Sequence, residues 1–178
     1  MGVVKHRLFG PIAALLTLVV VNTVARPQFI KVTVRDGQLY GALIDILRNS
    51  APLMLVALGM TIVIATRGID LSVGAVMAVS GAVALTIIHD SGSPDNVRTV
   101  VSAVGAALLV ALVLGSWNGM LIAVLGIQPI IATLVLMLAG RGVALLITEG
   151  FITTVNSGPF EYIATGYLLI VPFAFLIS

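Results

Sequence analysis

Long runs without a single Asp, Glu, Lys or Arg constrain this chain more than any other feature. They extend over residues 8–25, 49–66, 71–89, 99–140 and 162–178. A helix needs roughly 17–25 apolar residues to cross the hydrocarbon core of a bilayer. The run 99–140 is about twice that length, so we interpret it as two spans joined by an uncharged turn.

The composition also indicates that lipid surrounds this chain. Only 9% of the residues are charged and 60% are hydrophobic, with a mean hydropathy of +1.20. A soluble domain carries about 25% charged residues because its surface needs them. We therefore predict an all-α fold: a polytopic integral membrane bundle of about six transmembrane helices in one domain, 1–178, in contact with membrane lipid.

The first predicted span is Leu8–Ala25, with Pro11 in its first turn. We interpret it as an uncleaved span and not as a signal peptide, because more spans follow and Val24-Ala25-Arg26 is a poor cleavage site. The other predicted spans are Ser50–Thr66 with Pro52 in its first turn, Leu71–Ile88, Thr99 to about Trp117, Pro129–Thr148 interrupted by Gly140-Arg141-Gly142, and an incomplete sixth span from Tyr162.

The segment from Arg26 to Arg48 is the most polar in the chain. Its apolar residues Leu39, Leu43, Ile46 and Leu47 fall on one helical face, opposite Asp45 and Arg48. This pattern predicts a short helix that lies in the membrane interface, or equally a helix that caps the bundle.

The chain lacks residues that several functional classes require. The net charge is +2 without a basic cluster, which argues against nucleic acid as a partner. Cysteine is absent, and His6 and His89 have no carboxylate at ligand spacing, so no metal site is predicted. No Ser/His/Asp order or paired carboxylates suggest catalytic residues, so an enzyme is not expected. A phosphate-cradling Gly-x-x-x-x-Gly-Lys-Ser/Thr string is also missing.

The string Gly68-Ile69-Asp70-Leu71-Ser72-Val73-Gly74 is the most specific in the chain. It resembles a signature of the permease subunits of bacterial ABC sugar importers of the ribose, galactose and galactofuranose type. Trp117-Asn118-Gly119 and the stretch 128–134 resemble further motifs of that family, in the same order. Residues 36–47 most resemble the galactofuranose-type members of that family. The resemblance covers nearly the whole chain.

This resemblance implies a multi-pass subunit of the bacterial inner membrane that forms part of the translocation path for a monosaccharide. It implies three kinds of partner: an ATP-binding subunit, a second permease copy, and a periplasmic or lipid-anchored sugar-binding protein. The chain itself would need no cofactor, since the separate subunit binds ATP. It also places the amino terminus in the cytoplasm, although the count of Lys and Arg in the loops opposes this orientation.

Two departures from the family pattern stand out. Arg67 occupies the position where the family commonly has the first Gly of the signature. Members of the family are also considerably longer, with a cytoplasmic coupling loop in their second half, so we expect this chain to be a truncated N-terminal half. The alternatives are a non-transporting remnant or membrane interaction partner, and a permease of the same scaffold for a non-sugar solute.

Asp70 is the acidic residue of the signature, at the start of the third predicted span. We expect its carboxylate to cap that helix, paired with Arg67; the alternative is a gating or packing role at a helix break. The signature residues that we single out are Gly68, Ile69, Asp70, Leu71, Ser72 and Gly74.

Further polar or helix-breaking residues lie at predicted membrane depth. Asn118, Gln128 and Thr133 could bond to sugar hydroxyls or, alternatively, to neighbouring helices and helix ends. An arginine near a helix centre costs about 2.5–3.5 kcal/mol on insertion scales. Arg141 therefore either follows the end of its span at Gly140 and reaches toward the interface, or lies at a broken helix near the path. The candidates for the path or for a helix break are Asn118, Gln128, Pro129, Thr133 and Arg141.

Overall fold

The computed structural model describes residues 2–35, 38–165, 167–168 and 171–172, and it is predominantly helical. The helices are α1 (Gly2–Ala25), α2 (Ala42–Ala65), α3 (Val73–Asp90), α4 (Val97–Ala123), α5 (Pro129–Ile147) and α6 (Gly158–Thr165). A short 3-10 helix (Pro27–Ile30) and the strands β1 (Thr33–Arg35), β2 (Gln38–Tyr40), β3 (Tyr167–Leu168) and β4 (Val171–Pro172) complete the described elements. The chain divides into two compact units, one of Met1–Ala51 with Tyr167–Ser178, the other of Pro52–Gly166.

Among the described residues, four helices, α2 to α5, are long and apolar enough to cross a membrane. The apolar part of α1, Phe9–Ala25, is shorter. Large side chains such as Leu109 and Leu112 are 64% exposed, as expected for helices whose outer faces meet lipid. The predicted class, an all-helical multi-pass membrane protein, is confirmed.

In the first unit, β1 and β2 pair antiparallel, with Thr33 opposite Tyr40. The separate interfacial helix predicted within 26–48 is not formed, because residues 42–48 are the first turns of the long helix α2. Asp45 and Arg48 form an ion pair of 3.6 Å on that helix. No residue between them and the apolar run stops the helix, so the polar start and the span are continuous.

Two prolines lie inside helices instead of in the predicted first turns. Pro11 lies within α1, which begins at Gly2, and Pro52 lies within α2, which begins at Ala42. Pro52 has no N–H to donate to the carbonyl oxygen of Arg48, one turn earlier. Helices in lipid tolerate such a proline where neighbouring groups or local helix adjustments satisfy the backbone.

The sixth predicted span is represented by the short helix α6, which ends at Thr165. The described residues beyond it, in β3 and β4, pair antiparallel and are not helical. Residues 166, 169–170 and 173–178, which the prediction also included, lie outside the described residues.

In the second unit, α3 packs against both α4 and α5. A small core of Ala84, Ile88 and Ala103 joins α3 to α4, and all three side chains are buried. The loop before α6 is attached to the loop before α4, since Ser157 donates its hydroxyl proton to the carbonyl oxygen of Pro94 at 2.7 Å. Close packing of small residues is the usual means by which helices associate in lipid.

Helix α5 continues through Gly140-Arg141-Gly142, so the predicted interruption is wrong. Gly140 is buried where α5 meets α3, and a Cβ added to it would lie only 3.0 Å from the Cβ of Ala75. Gly142 has no atom within 4 Å of the corresponding position. The glycine at 140 therefore permits close helix packing and does not break the helix.

Arg67 ends α2 in the left-handed backbone conformation, with φ of 60°. The N–H of Gly68 donates to the carbonyl oxygen of Val63 at 3.0 Å, and the N–H of Arg67 donates to that of Ile64 at 2.9 Å. These two bonds are those of a Schellman motif, whose left-handed position is usually glycine. Arg67, which replaces the first glycine of the family signature, therefore occupies a position where a side chain strains the backbone.

We expect Gly140→Ala to destabilise the protein by about 1–3 kcal/mol relative to Gly142→Ala, because only the first substitution overpacks the contact with Ala75. Both substitutions gain the same helix propensity, so their difference isolates the steric effect. Denaturation of the detergent-solubilised protein, followed by circular dichroism, measures it. Equal stabilities would contradict the close approach of α3 and α5.

We expect Arg67→Gly to raise stability by up to about 1 kcal/mol, because relief of the left-handed strain outweighs the entropy that glycine costs. Arg141→Gly, within helix α5, provides the matched control and should lower stability by about 1 kcal/mol. The same denaturation experiment compares both variants, and a loss of stability in both would show that Arg67 is not strained.

Candidate functional site

Most of the polar residues singled out from the sequence lie at one end of the second unit. There α2 and α4 end, α3 and α5 begin, and residues 66–72 connect α2 to α3. We call residues 66–72 the signature loop. Three polar side chains at this end are almost completely buried: Ser72 is 1% exposed, Thr133 2% and Asn118 6%.

Asp70, Ser72 and Asn118 form a chain of hydrogen bonds. Asp70 Oδ1 accepts two of them, from the backbone N–H of Ser72 at 2.7 Å and from its hydroxyl at 2.6 Å. Asn118 Nδ2 donates to Ser72 Oγ at 3.0 Å. The signature loop is thereby attached to α4.

The donor and acceptor groups of Asp70, Ser72 and Asn118 determine which atom donates the proton in each of these hydrogen bonds. An ionised carboxylate only accepts hydrogen bonds, so the single hydroxyl proton of Ser72 points to Asp70. Ser72 Oγ must then accept from Asn118, which requires the amide nitrogen of Asn118 to face it. The carbonyl oxygen of Asn118, Oδ1, faces away and has no hydrogen-bond partner, although it is buried.

Thr133 lies where the signature loop contacts α5. Its hydroxyl lies 2.8 Å from the carbonyl oxygen of Pro129, one turn earlier in the same helix, and 3.3 Å from that of Ile69 in the loop. The shorter distance assigns the proton to Pro129. Pro129 itself is the first residue of α5, where its missing N–H costs nothing.

A cavity of about 440 Å³ opens beside these residues, and we call it the Asp70–Asn118 cavity. Glycines at 115 and 119 of α4 make room for it, and Asp70 and Asn118 contribute its acidic and amide groups. Its lining consists of Val63, Thr66, Gly68, Ile69, Asp70, Gly115, Asn118, Gly119, Ile122, Ala123, Pro129 and Thr133.

The structure separates the other candidates from this cluster. Gln128 is exposed, and its side chain makes no capping bond to α5, although its carbonyl oxygen accepts from the N–H of Ile131 at 2.9 Å. Arg141 is exposed on the far half of α5, remote from the signature loop. Leu71 and Gly74 belong to the signature string but do not line the Asp70–Asn118 cavity.

Asp70 does not pair with Arg67 as expected. Arg67 is exposed, and its guanidinium forms no ion pair with Asp70. Asp70 lies before the N-cap, Ser72, and bonds to that residue instead of to the first turn of α3. That Ser72 and Asn118 are partners could not be predicted from the sequence, because the two residues are far apart in the chain.

A second, smaller cavity of about 340 Å³ lies at the opposite ends of α3 and α5. His89, Asp90 and Glu149 line it together with several threonines. None of the candidate path residues or signature residues lies there. Within the described residues, no group of three or more His, Cys, Asp or Glu side chains could hold a metal ion.

Comparison with known proteins shows a family and several relatives. Residues 42–176 match the family model described as branched-chain amino acid transport system / permease component. The chain is 47% identical over 167 residues to the galactofuranose transporter permease protein of Escherichia coli strain K12, covering 94% of this chain and 47% of that protein. No solved structure matches.

Two further relatives carry the names of other sugars. The fructose import permease protein of Bifidobacterium longum strain NCC 2705 is 40% identical, covering 94% of this chain and 47% of that protein. The ribose import permease protein of Escherichia coli strain K12 is 38% identical, covering 82% of this chain and 40% of that protein. The chain thus spans less than half the length of these relatives.

A double-mutant cycle of Ser72→Ala and Asn118→Ala tests the connection between the signature loop and α4. We expect a coupling energy of about 0.6 kcal/mol, and at most ~1.7 kcal/mol, as for other side-chain hydrogen bonds between membrane helices. Stabilities of the four proteins in detergent give this energy. Strictly additive losses would mean that the bond at 3.0 Å contributes nothing.

Proposed function

Because the chain belongs to the family of branched-chain amino acid transport system permease components, we propose that it is membrane-spanning permease sequence of an ATP-binding-cassette importer for a monosaccharide. Its four long apolar helices make it a multi-pass protein of the bacterial inner membrane. The observation that carries the proposal is 47% identity over 94% of the chain to a galactofuranose transporter permease.

A sugar is the solute that the relatives favour. The three described above are named for galactofuranose, fructose and ribose. The description of the family itself names branched-chain amino acids, which makes an amino acid the second candidate. A free amino acid carries an ammonium and a carboxylate group, whereas a sugar carries no ionised group, so the charged residues around the path provide a criterion between them.

The energy for transport comes from a separate ATP-binding subunit in this proposal. The chain has no phosphate-cradling Gly-x-x-x-x-Gly-Lys-Ser/Thr string, and it needs no cofactor of its own. A second permease copy completes the path, and a periplasmic or lipid-anchored binding protein delivers the sugar. The permease then has only to alternate between two states with access to opposite sides.

Two ends of the bundle then face different compartments. In this proposal α1 is the first crossing; with the amino terminus in the cytoplasm, the crossings of α1 and α2 then bring the signature loop and the Asp70–Asn118 cavity to the cytoplasmic end. The polar cavity of His89, Asp90 and Glu149 lies at the opposite, periplasmic end of α3 and α5. A sugar would therefore pass the Asp70–Asn118 cavity late in its passage.

Uptake of labelled solute by the bacterium that carries this gene tests the proposal. We expect deletion of the gene to abolish high-affinity uptake of at least one of D-galactose, D-fructose and D-ribose, and a plasmid copy to restore it. Uptake of L-leucine should be unchanged. Equal sugar uptake with and without the gene would refute the proposal, and a selective loss of leucine uptake would favour the amino acid.

A further inference from the structure

We propose that the exposed face of α5 around Arg141 contacts another membrane-spanning helix, one that is not part of residues 1–178, and that a carboxylate of this helix pairs with the guanidinium of Arg141. The inference concerns the assembly of the protein in the bilayer, so it holds for any transported solute. It identifies the partner by its chemistry, as an apolar helix that carries an Asp or Glu.

Arg141 lies at membrane depth. It belongs to α5, one of the helices that are long and apolar enough to cross a membrane. With a rise of 1.5 Å per residue, Arg141 lies about 9 Å from the end of α5 at Ile147 and about 18 Å from its start at Pro129. An arginine at such a depth is costly in lipid, so it normally faces protein or water.

The direction of the side chain does not favour escape to the nearer membrane surface. Arginines close to a helix end can extend along the helix and place their charge in the interface. In an α-helix, however, every Cα–Cβ bond is tilted toward the amino-terminal end. The side chain of Arg141 therefore starts away from the nearer surface, at Ile147, and toward the farther one, at Pro129.

The residues that the structure describes do not neutralise Arg141. It is exposed, and its guanidinium forms no ion pair or side-chain hydrogen bond with any of them. Of the seven acidic residues of the chain, Asp36 belongs to the polar segment 26–48. The other six lie in loops or near helix ends: Asp45, Asp70, Asp90, Asp95, Glu149 and Glu161.

A second copy of this chain does not supply the carboxylate either. Copies of a membrane protein have the same orientation in the bilayer, so each residue of the copy lies at the depth of its counterpart. The acidic residues nearest in depth, Asp90 and Glu149, lie together where α3 and α5 end, and not inside the span. The partner helix therefore has a different sequence. The relatives, of which this chain spans less than half, have further residues in which such a helix can lie.

The neighbours of Arg141 favour a helix over a water-filled path as its surroundings. Leu138 and Leu145 lie on the same face, one turn before and one turn after it, and are 63% and 61% exposed. Leucines on both sides of the cation suit an apolar neighbour and not a wet wall. Gly142 is exposed, and no atom lies within 4 Å of a Cβ added there, so the backbone of another helix has room to approach closely.

The first experiment compares Arg141→Met in two environments. Methionine has a helix propensity close to that of arginine but carries no charge. Membranes of the bacterium that carries the gene contain the native partners of the chain, whereas the chain purified in detergent has none. In each environment a tagged chain is heated, and the fraction that stays soluble in detergent gives its melting temperature.

We expect Arg141→Met to lower the melting temperature in native membranes by roughly 5 °C or more, because the carboxylate of the partner helix is left unpaired. The purified chain has no such carboxylate beside it, so we expect no loss there. Arg141→Lys keeps the charge and should restore most of the stability in membranes. Arg98→Met removes an exposed arginine in the first turn of α4 and is the matched control, which should lower neither temperature.

A second experiment identifies the partner helix. In membranes that contain Arg141→Lys, a membrane-soluble carbodiimide activates the carboxylate that faces position 141. The amine at that position then attacks the activated carbonyl carbon, an amide bond forms, and the carbodiimide leaves as a urea. Mass spectrometry of the digested product identifies the acidic residue.

The outcomes decide between the possible surroundings of Arg141. A loss of stability that is restricted to native membranes supports the pair, as does a cross-link to an Asp or Glu in an apolar segment outside residues 1–178. An unchanged or higher melting temperature in membranes would mean that Arg141 faces lipid or water, and it would overturn the inference. An equal loss in both environments, or a cross-link to Asp90 or Glu149 of this chain, would overturn it as well. None of these measurements involves uptake, so this inference and the proposed function can fail independently.

Discussion

The absence of water in the hydrocarbon core is the constraint on which the rest of this structure depends. Every backbone or side-chain polar group must find its partner within the protein. Exposed hydroxyls within the helices meet this requirement locally: Thr17, Thr23 and Thr61 each donate to the carbonyl oxygen four residues earlier, at 2.7–2.8 Å. Buried polar groups must instead find partners on other elements, as Ser72 and Asn118 do. Two buried side-chain atoms of the described residues have no partner: Ser80 Oγ and Asn118 Oδ1.

Because lipid tails are as apolar as the side chains of the helices, burying Leu or Ile does not drive helix association here. The contacts of α3 depend instead on small residues. Ala75 and Ala103 are at most 1% exposed, and Gly140 of α5 lies directly against Ala75. This close approach also brings the start of α5 to the signature loop, where Thr133 contacts the carbonyl oxygen of Ile69. Packing of small residues therefore determines the position of the polar cluster.

The sequence predicted the existence of the long helices well, because a long run without charged residues is compatible only with the lipid core of a membrane. It predicted their ends poorly. The sequence predicts a helix start at Pro52 and an interruption at the glycines 140 and 142, yet α2 and α5 pass through these residues. A proline or glycine stops a helix only where nothing else supports it, and that support comes from neighbours that the sequence does not identify. The position of Asp70 in the sequence was enough to predict a role at a helix start. The connection from Asp70 through Ser72 to Asn118 depends on how α3 packs on α4, so it could not be predicted from the sequence.

Asp70 shows how much of the signature loop depends on one oxygen atom. Its Oδ1 accepts both the backbone N–H and the hydroxyl proton of Ser72, at 2.7 and 2.6 Å. Because that hydroxyl proton is committed, Ser72 Oγ is left to accept from Asn118 of α4. The bond between the loop and α4 therefore follows from the position of Asp70, so this carboxylate orients the loop although it does not bond to the first turn of α3.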